Sequence, residues 1–257
     1  MPVVNFQRDD RLGEIVIDNP PQNLFGGGLL TDLRDSVNAA AASDVRAVLL
    51  RAEGDDFSAG ADVSIFSDIS KAEAVKLAAT VVGLIGAIEN LRVPTVALIH
   101  GQCYAGALEV CLACDLIWAA EGSQIGQIEA IAGGIPYAGG TQRLASRIGA
   151  GRAAEMVFTA AIFPPETLAS WGVVNRVTHA DRLVEEGRAF AQNLAHGPTR
   201  AYATTKRLIH TWRSGGVAEA DRVNLTDGPE VMLSQDLKDG IASLRSQGPG
   251  HATFHGR

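Results

Sequence analysis

Short β-branched runs alternate with helical stretches up to about residue 130, and from Thr141 onward almost every apolar pattern has helical spacing. That order predicts an α/β fold with largely parallel strand pairing, followed by a helical region. Composition agrees with a folded core. Of 257 residues, 46% are apolar and 20% charged, near globular averages and far from disordered chains. A core of this size buries about 75% of the unfolded chain's surface, so it needs no disulfide or metal to hold it.

Val3–Arg8 and Gly13–Asp18 read as strands separated by turn residues. Asn19-Pro20-Pro21-Gln22-Asn23 is a rigid, extended corner, because each proline fixes its own φ and restricts the residue before it. Leu29–Ala42 carries Leu29, Leu30, Leu33, Val37, Ala40 and Ala41 at helical spacing. Val45–Leu50 is apolar, β-branched and of strand length. Ala74–Leu91 is a helix stopped by Pro94, Thr95–Ile99 a buried-type strand, Leu108–Ala113 a short apolar helix and Asp115–Ala119 a strand. Beyond them, helices are expected at Thr141–Ile148, Ala150–Thr159, Pro165–Trp171, Asp181–Ala195, Thr199–Trp212 and Val217 to Leu244. Val173–Val177 is the one strand among them.

The net charge is −7, from 22 basic and 29 acidic residues. That argues against a nucleic-acid partner, which needs a basic face. No run reaches the ~20 apolar residues of a membrane span, and Met1 to Asp10 is too charged for a secretory signal. A cytoplasmic protein with no membrane partner is expected. Cys103, Cys111 and Cys114 are an odd count and form no disulfide framework. Cys111-Leu112-Ala113-Cys114 has the spacing of a dithiol or half a zinc site, but no second pair or histidine stands at metal spacing. Its apolar helix points to core packing, and no metal is expected.

Four segments carry candidate chemistry. Phe57-Ser58-Ala59-Gly60-Ala61-Asp62 is a run of small residues after a strand, where another molecule can approach the backbone. Gly101-Gln102-Cys103-Tyr104-Ala105-Gly106-Ala107-Leu108-Glu109 leads from a strand into a helix. The first N–H groups of a helix have no intrahelical acceptor and suit an oxyanion. Glu109, three residues past Gly106, lies on nearly the same face. Gly126-Gln127-Ile128-Glu129 sets a carboxylate among apolar neighbours, which raises its pKa toward general acid or base work. Gly139-Gly140 precedes a helix, but without a P-loop lysine it is a poor phosphate cradle. Taken singly, each has a bland reading as a tight turn, a capping glutamate or a surface loop.

Their order and spacing strongly resemble the crotonase superfamily, the enoyl-CoA hydratase/isomerase family. Asn19–Asn23 resembles its Asn-Pro-Pro-x-Asn segment, Phe57–Asp62 its Phe-x-Ala-Gly-Ala-Asp loop, and Cys114-Asp115-Leu116-Ile117 its Cys-Asp-Ile-Ile strand start. Ile135–Leu144 is similar almost letter for letter to Ile-Pro-x-Ala-Gly-Gly-Thr-Gln-Arg-Leu, and Asp239–Leu244 fits the C-terminal pattern. The resemblance covers nearly the whole chain.

The resemblance implies a crotonase-like spiral of β-β-α units over residues 1–195, holding an acyl-CoA site. Residues 196–257 would be a helical region for oligomerisation, as trimer or hexamer, and for closing the site. It implies a hydro-lyase, a 2-enoyl-CoA hydratase, with an isomerase, thioesterase or decarboxylase as the alternative. Coenzyme A would be part of the substrate, and no separate cofactor is expected. By motif position, the N–H groups of Ala61 and Gly106 would form the oxyanion hole, and Glu109 and Glu129 would be the two catalytic carboxyls. Asn23, Ala59, Gly60, Asp62, Val63 and Tyr137 would line the substrate and CoA site. Tyr137 replaces a usual glycine, so it would narrow the acyl pocket or add a hydrogen-bond donor. Ser246-Gln247-Gly248-Pro249 lacks the usual basic cluster near the adenine phosphate.

Overall fold

The structure, a computed structural model, describes residues 3–256. Met1 and Pro2, at the start of the expected core, and Arg257, at the end of the expected helical region, lie outside it. The first two strands, β1 (Val4–Asp9) and β2 (Leu12–Ile17), form a hairpin, and α1 (Gly27–Ala42) follows the proline corner. Then come β3 (Ala47–Ala52), α2 (Lys71–Glu89), β4 (Thr95–Ile99), β5 (Gln102–Tyr104), α3 (Gly106–Leu112), β6 (Leu116–Ala120) and β7 (Gln124–Gly126). The remainder is α4 (Gly140–Ile148), α5 (Ala150–Thr159), α6 (Pro165–Trp171), β8 (Arg176–Thr178), α7 (Leu183–Ala195), α8 (Thr199–Met232) and α9 (Gln235–Gln247).

Six strands form one sheet in the order β1-β2-β3-β4-β6-β8, parallel from β2 onward. Both faces are buried, which explains the unbroken apolar runs of its central strands. Val48, Leu50, Ala97 and Ile99 point into the core shared with α1, α2 and α3. Ala47, Leu49, Val96 and Leu98 alternate to the other face, where Leu183, Ala191 and Ala195 of α7 cover them. A second, smaller layer pairs β5 with β7 in parallel and extends through a Ser58–Cys103 bridge. Each turn of chain thus runs up a long strand, bends into the small layer and returns through a helix. This is a spiral of β-β-α units.

Several boundaries differ from those the pattern predicts. Helix α2 begins at Lys71 because Ser70 and Glu73 form a capping box. The strand expected at Val173–Val177 starts later, at Arg176, because the Val173 and Val174 amides both donate to the Leu168 carbonyl and close α6. The helix expected from Val217 to Leu244 breaks where the Ser234 hydroxyl accepts the Leu237 N–H at 3.1 Å and starts α9. Helix α8 itself kinks at Gly216, whose φ is +75°. Strands β5 and β7, three residues each, are too short for any periodicity to reveal.

The C-terminal helices hold to the spiral at a few polar points. Lys206, buried, donates to Asp115 Oδ2 at 2.7 Å. Arg46 donates to the carbonyls of Gly197 and Phe254, and Asp236 accepts the His255 and Gly256 amides. Between these points Val217, Leu225, Met232, Leu233 and Leu244 are exposed. Among the described residues, no helix is long and apolar enough to cross a membrane.

Candidate active site

The four sequence segments converge where the small layer meets the helices. The Ser58 amide donates to the Gln102 carbonyl at 2.9 Å, and the Tyr104 amide to the Ser58 carbonyl at 3.2 Å. Residues 58–61 therefore run alongside 102–105. Gly60 has φ +104°, and a Cβ there would lie 3.2 Å from the Tyr104 carbonyl oxygen, so only glycine fits. Phe25 bonds to the residues on either side of Ala61, accepting from Asp62 and donating to Gly60, which turns the Ala61 N–H away from that bridge. Gly106 is the first residue of α3, and its N–H has no intrahelical acceptor. The residue before it, Ala105, sits at φ +52°, a strained value for a side-chain-bearing residue. Among the described residues, neither the Ala61 nor the Gly106 amide donates to a protein acceptor.

Glu109 projects from α3 and is only 3% exposed. It does not cap its own helix. Its Oε1 accepts the Gly140 N–H at 2.6 Å, so the Gly139-Gly140 turn serves this carboxyl rather than a phosphate. Burial pushes the Glu109 pKa up, while the amides of Gly140, Ala138 and Gly139 and the charge of Arg143 pull it back. Glu129 opens a short 3₁₀ turn, Glu129–Ala132. Burial raises it to about 7, with the Glu109 charge adding to the rise and a hydrogen bond from its own backbone amide opposing it.

Sequence reasoning missed Gln127 as a functional residue. It is fully buried, and with its amide oriented as its neighbours require, its nitrogen donates to both Glu129 oxygens at 2.8 and 3.0 Å. A donor there favours the charged carboxylate, against the pull of burial. Its signal was faint: a glutamine two residues before the acid, in a segment otherwise apolar.

Among the expected lining residues, the structure separates two kinds. Asn23 is buried at φ +52°, with its amide donating to the carbonyls of Glu53 and Asp56 and its oxygen accepting the Asn19 amide. It staples the proline corner to the loop after β3. Ala59 donates to the Gln22 carbonyl and belongs to the same junction. Asp62 accepts the Ser64 amide at 3.0 Å, and its hydrogen bonds from Ser64 hold its pKa low. Val63, 69% exposed, and Tyr137 face outward instead. The Tyr137 ring lies 5.7 Å from that of Phe66. Ile131, in the turn that Glu129 opens, and Ile135 just after it are exposed as well. The three cysteines are free and buried, and burial pushes the Cys111 and Cys114 thiols up, which leaves them inert.

A spiral of β-β-α turns, with free amides on adjacent segments and two carboxyls raised by burial, is the architecture of a crotonase-type enzyme. The enoyl-CoA hydratase/isomerase family matches residues 7–243, and the chain belongs to that family. It is 28% identical over 243 residues to the protein named "Probable enoyl-CoA hydratase echA8" from Mycobacterium bovis, covering 93% of each chain. It is 25% identical over 242 residues to the crotonyl-CoA hydratase of Syntrophomonas wolfei, again covering 93% of each. The crystal structure of "Enoyl-CoA Hydrates Subunit I" from Geobacillus kaustophilus superimposes with a TM-score of 0.92 at 26% identity, covering 99% of this chain and 98% of that one.

Proposed function

We propose that the protein is a 2-enoyl-CoA hydratase, adding water across the α,β double bond of an enoyl-CoA thioester. The observation that carries this reading is the pair of raised carboxyls, Glu109 and Glu129, in one site with two unpaired backbone amides. Hydration needs a water activated at Cβ, a proton delivered at Cα, and stabilisation of the enolate oxygen between those events. The Ala61 and Gly106 amides would take the thioester oxygen, and such donors are each worth ~10²–10³ in rate elsewhere. Glu109 would orient and deprotonate the water. Glu129, with a pKa of about 7, is close to half protonated at neutral pH and would supply the proton at Cα.

The relatives named as enoyl-CoA and crotonyl-CoA hydratases support this substrate class. The acyl chain would lie along the rim of Val63, Phe66, Ile131 and Tyr137. Coenzyme A enters as part of the substrate, with no further cofactor. Residues 196–257 would oligomerise the chain, as a trimer or a pair of trimers, because α8 and α9 leave apolar side chains uncovered. A stable monomer in light scattering at micromolar concentration overturns that assembly. A cytoplasmic location is part of the same proposal.

The test is loss of the conjugated thioester's ultraviolet absorbance with crotonyl-, octenoyl- and branched enoyl-CoA. Turnover of at least one supports hydration. No turnover of the panel, beside turnover of a 3-enoyl-CoA, replaces the hydratase with an isomerase.

A further inference from the structure

The carboxylate of Glu109 is held from outside its own helix. The amides facing it, from Ala138, Gly139 and Gly140, belong to one turn just before α4. What fixes that turn is Arg143. Its Nη1 donates to the Gly139 carbonyl at 3.1 Å and the Ala138 carbonyl at 3.4 Å. Its Nε donates to Glu89 Oε1 at 3.0 Å, and its Nη2 donates to Glu89 Oε2. The guanidinium lies so close beneath the turn that a Cβ on Gly139 would sit 2.2 Å from Nη1. Glu89, the last residue of α2, also faces Arg213 of α8 across 3.6 Å. The side chains of Arg143 and Glu89 are 17% and 19% exposed. A rigid fork can grip a carboxylate on one side and carbonyls on the other, whereas lysine offers one point charge.

We propose that Arg143, locked by Glu89, is a positioning residue for Glu109: it holds the Ala138–Gly140 turn so that its amides point at the carboxylate. The charges around Glu109 agree with this arrangement. Burial opposes its ionisation, and Arg143 favours it from α4; the Glu109 charge in turn raises the pKa of Glu129 on the 3₁₀ turn. Glu89 of α2 offsets Arg143, and Arg213 of α8 in turn offsets Glu89. Only the consequence for turnover rests on the hydratase reading; the geometry does not.

The test compares Arg143→Gln and Arg143→Lys with the wild type in two ways. The first is the protonation midpoint of Glu109 in the ligand-free enzyme, by isotope-edited infrared titration with Glu109→Gln as the assignment control. The second is kcat and KM for crotonyl-CoA hydration. Arg143→Gln is expected to raise the midpoint and lower kcat about 10–100-fold, the scale of a misplaced catalytic group, with KM little changed. Arg143→Lys keeps the charge without the fork, so it is expected to restore the midpoint more than kcat. A folded Arg143→Gln protein with the wild-type midpoint overturns the proposal. If that variant does not fold, Arg143→Lys decides: lowered kcat at a retained midpoint supports it, and wild-type kcat overturns it. If the wild type is inert toward the whole enoyl-CoA panel, the hydratase reading falls and the midpoints still decide the role of Arg143.

Discussion

The two carboxyls of the site stand on supports of opposite kind. Glu109 sits in α3, whose residues Ala107 to Leu112 are all buried, and a separate turn clamps its carboxylate. Glu129 begins a single 3₁₀ turn in which no residue is buried, followed by exposed Ile131 and Ile135. One wall of the site is thus part of the core, and the other is a surface loop anchored from beneath by Gln127. In the proposed mechanism, rigid placement suits the group that orients the water, and a looser support suits the one that must meet substrates of different shape.

The largest expected effect tests whether the two walls act as one device. Glu109→Gln and Glu129→Gln keep side-chain size and remove proton transfer, so each is expected to lower kcat for crotonyl-CoA hydration by ~10²–10⁴-fold with little change in KM. The double variant is expected to cost far less than the product, because groups acting as a unit are not additive. Near wild-type hydration in Glu109→Gln breaks the two-carboxylate mechanism, and a severe Glu129→Gln beside a mild Glu109→Gln is the isomerase or thioesterase pattern.

Gly140→Ala disturbs the rigid wall without touching a charge. The added Cβ would lie 2.8 Å from the end of the Gln127 side-chain amide and 2.9 Å from Glu109 Cγ, displacing the supports of both acids. Steady-state kinetics are expected to show a fall in kcat of about 10²-fold, and thermal unfolding a loss of ~1–3 kcal/mol from overpacking. On the loose wall, Tyr137→Gly removes the ring packed on Phe66. The ratio of kcat/KM for octenoyl-CoA over crotonyl-CoA is expected to rise about ten-fold, within the range for changing apolar contact in a pocket. An unchanged ratio removes Tyr137 from the acyl pocket.

The smallest effect is on stability. A glutamate titrates near ~4.3 in the unfolded chain and at about 7 here. The folded state therefore binds this proton more tightly, and its contribution to stability falls as pH rises between those values, then stays level. Discounted for a half-buried group, the penalty above pH 7 is ~1–2 kcal/mol. Glu129→Gln is therefore expected to melt above the wild type at pH 8 and level with it at pH 4, by calorimetry. Equal melting at pH 8 shows that Gln127 offsets the burial cost.

The same contrast explains what could be read before the fold was known. Long elements were legible because burying one or both faces leaves a period in the sequence, as in Leu29 to Ala40 of α1 or Val96 to Ile99 of β4. Glu109 and Glu129 stood out because a carboxylate among apolar residues is a local anomaly. Arg143 did not, since its partner Glu89 lies 54 residues away, and Gln127 did not, since a glutamine two residues from an acid is unremarkable until the fold buries it. Asn23 stood out by its place in the motif, and its hydrogen bonds to carbonyls 30 and 33 residues away appear only in the fold.

By itself, then, the order of residues determined the α/β class and the spiral's main strands and helices, and it singled out Glu109 and Glu129 as candidate acids, because these follow from short-range periodicity and from motif spacing. Tertiary structure alone decided how those acids are held. The hydrogen bond from Gly140 to Glu109 spans 31 residues, and the grip of Arg143 on both Glu89 and the Gly139 carbonyl exists only once α2 and α4 are packed together. A carboxyl's pKa depends on burial and on charges brought near it in space, and a linear sequence does not specify those until the chain has closed upon itself.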